Sequence, residues 1–487
     1  MSKAKTGNSF WSSWKWLIEI VLFSVIAGLL IYAVPMEGLE FQGKVMLVMF
    51  LWCVALWIAK PLEEWLVSVI ACVILVIFFG IDHKGLLSGF QNPGWFLVIF
   101  SQMIGITMVM TGLGRRMAYF IVSKLGKGGE LMANYAVGAT TALCTLIIPS
   151  AGARTSTLVN IVDELSESLG FKRGERGGES LVMTGMFVNT TGTIMFLTGT
   201  NTIPMGLAIV MEATGRTMSW GEWFAAGFLP GAICCLLIPM YTHLLYKPKK
   251  SKTGGPAEPK KIDVSFAKQA LAEMGPMSTG EKWSLICFSL TVLLWATGSL
   301  TGINANIVPW LTVFLLLIPN FAPGTSKEII REVPWSAMLW IGLAMGMANN
   351  VNSSGGFQWL VDTFFTSNAA VQSLSYTGFL IVWLLLVLFI HIIFAGMDPM
   401  VTLFTPIGMS IAAALGFDVF TVGVITIMAV CVGANFMAFN SQSNLLWCAT
   451  NRFTPGQQLG AACLINVSVA VVLLLTLLFY WPLIGMV

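Results

Sequence analysis

The chain has 487 residues, of which 56% are hydrophobic and only 10% charged, with a net charge of +3; a soluble domain carries roughly one quarter charged residues. That balance excludes a soluble enzyme or a nucleic-acid-binding module and describes an integral membrane protein. A hydrocarbon slab about 30 Å thick needs roughly 20 apolar residues per helix, and about eleven such runs are present. The short alternating segments of a membrane barrel are missing, which leaves helices.

Met1 to Lys15 is polar and basic, and the first span runs from about Trp16 to Val34. It is long enough to cross, and no A-x-A site follows it, so it does not read as a cleaved signal peptide. Spans two and three, about Lys44 to Ile58 and Glu64 to Phe79, flank Lys60-Pro61-Leu62-Glu63. Span four, about Trp95 to Leu113, ends at Gly114-Arg115-Arg116, and Met117 to Leu125 reads as an amphipathic helix along the interface. An apolar segment from Leu131 to Val162 is then interrupted midway by Pro149-Ser150-Ala151-Gly152-Ala153-Arg154-Thr155. A breaker among small and hydroxyl residues predicts two arms, a re-entrant hairpin over about 131–170. Span five begins near Leu181 and is broken by Thr198-Gly199-Thr200-Asn201-Thr202-Ile203-Pro204; span six runs from Trp223 to Tyr246. The lysine-rich stretch 247–282 is a cytoplasmic linker.

Beyond the linker the order of features recurs. Spans seven to nine (about Trp283 to Ser299, Ile307 to Phe321, Trp335 to Asn350) lead to Ser353-Ser354-Gly355-Gly356, with Phe357 to Phe365 as a second interface helix. The apolar segment 379–415 carries Ala395-Gly396-Met397-Asp398-Pro399-Met400 midway, a second, outer hairpin. A tenth span is broken at Asn440-Ser441-Gln442-Ser443-Asn444, and an eleventh runs from about Leu459 to Met486. The offsets are nearly constant: Gly114 with Gly355, Ser150 with about Ala395, Thr200 with Ser441. The chain therefore divides into 1–39 (N-terminal segment and first span), a repeat at 40–246, the linker, and a second repeat at 283–487. With the N-terminus inside and both hairpins re-entrant, 22 Lys and Arg fall on the cytoplasmic side and only Lys44, Lys84 and Arg216 outside; either hairpin as a full span would reverse this bias. Five spans separate the first-half features from their copies, so the repeats are inverted and the C-terminus lies outside.

Arg154 is the one basic residue this topology leaves inside the membrane. An unpaired arginine there costs at least about 2.5 kcal/mol, so it either pairs structurally, with the exit helix or backbone carbonyls, or fixes the charge of a bound anion or stabilises the hairpin tip beside it. Ser150, Thr155 and the Gly152 backbone add donors at a helix N-terminus, where the dipole favours anions. Asp398 is the acidic counterpart, read as an ion or substrate ligand against the alternative of a turn or cap residue. Thr200, Asn201 and Thr202, with Ser441, Gln442, Ser443 and Asn444, sit at the two breaks and suit a hard cation or polar ligand, inter-helix bonding being the alternative. Ala151, Gly152 and Pro399 complete the substrate-binding set; Ser150, Asn201, Asp398 and Asn444 are the candidate Na⁺ ligands. His391, seven residues before Asp398, is placed two helical turns away on the same face, more in keeping with a hydrogen-bonded core histidine than a proton relay. The nine cysteines lack metal spacing and read as packing residues. No Walker loop or nucleophile with a base is present, so no enzyme and no cofactor is expected.

With this layout the chain resembles the divalent anion:sodium symporter family, in its bacterial citrate, tartrate and dicarboxylate branch. The likeness rests on Thr111-Gly112-Leu113-Gly114-Arg115-Arg116, the Pro149-Ser150-x-x-Ala153-Arg154-Thr155 tip, Tyr246-Lys247-Pro248 and Ser354-Gly355-Gly356-Phe357. The resemblance implies a homodimer in the inner membrane whose scaffold holds the dimer interface while a mobile domain with both hairpins moves like an elevator. Family tips typically read Ser-Asn-Thr; here they read Ser150-Ala151-Gly152 and Asp398-Pro399-Met400. The expectation is therefore a secondary active transporter of a small organic anion, carboxylate or sulfonate in type, smaller or less charged than a dicarboxylate, with a zwitterion among the candidates. Coupling is to Na⁺ or H⁺, or by exchange. An uncoupled anion channel or a substrate sensor on the same frame is the alternative.

Overall fold

The computed structural model describes residues 10–125, 129–148, 150–216, 218–247, 264–303, 306–319, 321–322, 324–366, 368–394 and 396–486. Pro149, Ala395 and the linker stretch 248–263 lie outside them, as do Lys3, Lys5 and Lys127 of the charge count. The described residues are helical, with turns and no strands. Among the described residues six helices are long and apolar enough to cross a membrane: Trp14–Tyr32, Phe41–Ala59, Pro93–Thr111, Trp220–Leu245, Met397–Ala414 and Pro455–Leu483. Shorter apolar helices cover Glu64–Phe79, Thr202–Thr214, Tyr376–Ile390 and Val419–Gly433.

In lipid no water completes a stray polar group, so each must find a partner within the protein. Glu130–Ile147 shows how: Thr140, Thr141 and Thr145 each return a hydroxyl to the carbonyl four residues back, at 2.7–3.0 Å. The Asn134 amide oxygen accepts from Ser180 (2.9 Å) and Thr184 (2.7 Å), tying this arm to Arg176–Thr191.

Both hairpins are present. The first has arms Glu130–Ile147 and Ala151–Ser168, the second Tyr376–Ile390 and Met397–Ala414. Met397–Ala414 is long enough to cross by length alone, yet it folds back on its partner arm: the Trp383 ring lies 6.2 Å from Phe404, and Tyr376 and Phe379 close the base on Phe417 at 5.3 and 5.7 Å. The helix after each hairpin packs against both of its arms, Arg176–Thr191 in the first half and Val419–Gly433 in the second. Trp383 donates to Thr426 at 2.7 Å across that second interface.

Both broken spans are present too. The first stops at Thr191, makes a single 3-10 turn over Gly192–Met195 and restarts at Thr202. The break thus opens six residues before the expected Thr198. The second stops at Gly433 and restarts at Gln442. A Cβ at Gly199 would collide with the Thr193 carbonyl, so the first break needs a glycine there.

Three sequence readings change. The landmark glycines with positive φ are Gly112 (76°) and Gly355 (77°), so Gly112, not Gly114, is the counterpart of Gly355. His391 and Asp398 do not share a helix face, because the arm ends at Ile390 and the chain turns through 391–394 to Gly396 at φ 100°. The second half of the expected linker is structured: Ser265–Glu273 is a helix packed on Leu113–Leu125, with Phe266 edge-on to Tyr119 at 6.4 Å, and a Ser278/Glu281 capping box starts Thr279–Ala296.

Candidate functional site

Each tip and each break is a helix start, and each start is prepared locally. Ser150 caps Ala151–Ser168 by accepting from the Ala153 N–H at 3.3 Å. Gly396, whose positive φ suits only glycine, turns the chain into Met397–Ala414 and puts Asp398 in the first turn. Asn201 precedes Thr202–Thr214, and the Ser441 hydroxyl accepts from the Ser443 N–H at 3.2 Å.

These four starts meet around one cavity of about 570 Å³. Its lining brings together Ser150, Ala151, Gly152, Thr200, Asn201, Thr202, Asp398, Pro399, Ser441, Gln442 and Ser443 of the expected set. The halves cross over. The Asp398 carboxylate on the second tip accepts from Thr202 of the first break at 2.5 Å, while Gln442–Cys448 of the second break packs on Ala151–Ser168 behind the first tip. Three helices of thirteen or more residues begin here, so their positive dipole ends favour an anionic group.

Arg154, Thr155 and Asn444 are placed elsewhere. Arg154 is fully buried, and its guanidinium fans onto the first tip and first break: Nε donates to Asn189 Oδ1 (2.5 Å), Nη1 to the Ile148 (2.8 Å) and Gly199 (3.2 Å) carbonyls, and Nη2 to the Asn189 carbonyl (3.0 Å). It pairs with backbone carbonyls, not across the cavity. The Thr155 hydroxyl accepts from Asn189 at 2.9 Å. Asn444 donates to the Ala434 and Met437 carbonyls at 2.7 and 3.2 Å. At the second tip Asn440 donates to the His391 and Phe394 carbonyls, both at 2.6 Å. Buried His391 meets the Val430 carbonyl through Nε2 at 2.8 Å, the core role. The carbonyls of Ile148, Asn189 and Gly199 in the first half, and of His391, Phe394, Ala434 and Met437 in the second, thus each accept from a side-chain donor.

The cavity has a second wall that sequence reasoning missed. Lys60 and Glu63 come from the turn after Phe41–Ala59, Glu64 and Trp65 from the start of Glu64–Phe79, and Pro334, Ser336, Ala337 and Trp340 from the start of Trp335–Ser353. Lys60 pairs with Glu64 at 3.2 Å, and Trp65 donates to Glu63 at 2.6 Å. The signal available in the sequence was the charged Lys60-Pro61-Leu62-Glu63-Glu64 stretch between two apolar runs; in the structure Lys60 turns the chain there with a left-handed backbone (φ 53°). Phe439 and Leu445 flank the second break.

The chain matches the family described as "Sodium:sulfate symporter transmembrane region" over residues 12–487. It is 27% identical to "Dicarboxylate transporter 1, chloroplastic" of Spinacia oleracea, with 84% of this chain and 71% of that one covered. It is 27% identical to the "Citrate/succinate antiporter" of Escherichia coli, with 82% and 84% covered. Among solved structures, the YdaH transporter of Alcanivorax borkumensis superposes with a TM-score of 0.57 at 13% identity, covering 83% of this chain and 89% of that one, a likeness of fold alone.

Proposed function

Because the chain belongs to the sodium:sulfate symporter family, we propose that it is a secondary active transporter of small organic anions, carboxylate or sulfonate in type, working by alternating access. The observation that carries this is the single cavity lined by both hairpin tips and both broken spans, the arrangement in which discontinuous helices bind substrate at mid-membrane. The curated relatives named for dicarboxylate and citrate/succinate transport support the substrate class.

The hairpins and broken spans form the moving body, and Phe41–Ala59, Glu64–Phe79 and Trp335–Ser353 part of the scaffold it slides past as an elevator in a homodimer. The two halves act as inverted repeats. Apart from Phe439, Gln442 and Leu445 at the second break, the exposed lining residues are Lys60, Glu63, Pro334 and Ser336, and these mark the mouth; the Lys and Arg bias assigns them to the cytoplasmic face of an inner membrane, with the C-terminus outside. This is an inward-facing state.

For coupling, Arg154 favours exchange over sodium symport. Its guanidinium already neutralises the carbonyls of Ile148, Gly199 and Asn189, so the first half carries a fixed cation where a sodium ion would otherwise gather backbone oxygens. The test is uptake of labelled carboxylates and sulfonates by proteoliposomes. Saturable uptake that needs internal counter-substrate and persists when choline replaces Na⁺ is expected. Unsaturable flux that follows the gradient would replace the transporter with a channel, and strict Na⁺ dependence would remove the exchange assignment.

A further inference from the structure

The cavity is charged in the wrong sense for a simple dianion. Its lining carries Lys60 against Glu63, Glu64 and Asp398, and Lys60 is already spent on Glu64 at 3.2 Å. The excess is unevenly distributed. Asp398 sits on the tip of Met397–Ala414, which packs on Phe41–Ala59 and Trp335–Ser353, and those two helices frame the turn and helix start that bring Glu63, Glu64, Trp65 and Trp340. One oxygen of Asp398 accepts from Thr202; the other has no hydrogen-bond partner among the described residues. The remaining wall is different. Ser150 and Gly152 of the first tip and Gln442 and Ser443 of the second break belong to elements packed on each other. They carry no charged side chain, and behind them lies the buried guanidinium of Arg154.

A ligand spanning the two walls therefore meets donors and a positive field at one end and an open carboxylate at the other. Resting on the transporter reading, we propose that the substrate is a zwitterion: a small acid bearing an ammonium group, whose carboxylate or sulfonate faces Ser150, Gly152 and Ser443 and whose ammonium pairs with Asp398. A carboxylate with one free oxygen gains a charge-assisted bond from an ammonium, and Trp65 and Trp340, which line the same wall, are side chains of a type that attracts cations. A dicarboxylate in this position would set like charges against each other.

The test is binding to the purified full chain by calorimetry, with matched probes: 2-aminoethanesulfonate against ethanesulfonate, 3-aminopropanoate against propanoate, and succinate. In the wild type the amino member of each pair should bind at least 10-fold more tightly than its twin. Asp398→Asn should narrow that ratio to within about twofold by weakening the amino member alone, whereas Ser443→Ala should weaken both members alike. The wild-type ratio needs no variant, so it stands even if a substitution fails to fold. Equal binding of the twins, or an unchanged ratio in folded Asp398→Asn, overturns the proposal. Succinate binding without any amino preference overturns it while leaving the organic-anion reading intact; failure of every probe, together with no uptake of any carboxylate or sulfonate, removes both.

Discussion

Arg154 shows how a residue can be found in the sequence while its role stays open between pairing with backbone carbonyls, steadying the hairpin tip and fixing an anion. A lone arginine in an apolar segment demands partners, and that demand is legible from sequence. The direction of the side chain is not, because Asn189 and Gly199, which receive it, lie 35 and 45 residues away and only packing brings them near. The geometry makes Arg154 the clamp that holds the first tip to the first break. Arg154→Ala would strand the Ile148, Gly199 and Asn189 carbonyls in a buried site, at a cost of about 1–3 kcal/mol for each group left unmade. Loss of at least about 3 kcal/mol of stability is expected, read as a marked drop in the thermal midpoint in detergent. Arg154→Lys should recover only part of it, since one ammonium cannot span the fan. A fully stable Arg154→Ala protein would contradict the clamp. The second half does the equivalent work with neutral donors, Asn440 and Asn444.

At the scale of elements, the four interruptions were readable because Pro, Gly, Ser and Asn punctuate otherwise apolar runs, and the helix restarts at Ala151, Thr202, Met397 and Gln442 fall within those stretches. What escaped was set by distant contacts. The earlier end of the first broken span at Thr191 carries no proline, and the Lys60–Trp65 wall becomes part of the cavity only through packing of Phe41–Ala59 and Trp335–Ser353 on Met397–Ala414. The clamp on the structured end of the linker belongs to the same class. Arg116 donates to both Glu281 oxygens at 2.6 and 3.1 Å and to the Gly275 and Met274 carbonyls, joining the interface helix to the second half. Burial alone would raise the Glu281 carboxyl, yet the Arg116 guanidinium and the Ser278 N–H together hold it below the ordinary carboxylate range. A depressed carboxylate contributes stability that is complete above its unfolded value of about 4.3 and is lost as pH falls through the folded value. The wild type should therefore lose thermal stability below about pH 4.5 by a component that Glu281→Gln lacks. Parallel pH profiles for the two proteins would show that the pair contributes nothing.

For the whole molecule, the inward-facing assignment makes a sided prediction. Ser336→Cys, at the exposed edge of the cavity, should react with a membrane-impermeant maleimide faster in inside-out than in right-side-out vesicles. The wild type with its nine cysteines supplies the background. Faster labelling from the other face would invert the topology. The membrane class and the recurrence of features came from composition and spacing, because lipid leaves a chain few alternatives. Substrate choice did not, because it rests on which side chains of two distant halves end up on the same wall.

The crossing-over of the halves also bears on how the molecule is made. The first tip packs on Gln442–Cys448, and the first break hands Thr202 to Asp398. At ribosomal speeds of about 5–20 residues per second, the early half waits on the order of 10–50 s for its other wall to be translated. During that wait the Arg154 fan, whose partners all lie between Ile148 and Gly199, keeps the tip closed together with the Asn189-to-Thr155 bond. If so, a gene severed within 248–263 should yield two polypeptides that restore uptake only when co-expressed, and an early fragment carrying Arg154→Ala should be degraded before its partner arrives. Pulse-chase of the lone early fragment reads this directly: equal lifetimes with and without the arginine would mean that something else guards the unfinished chain.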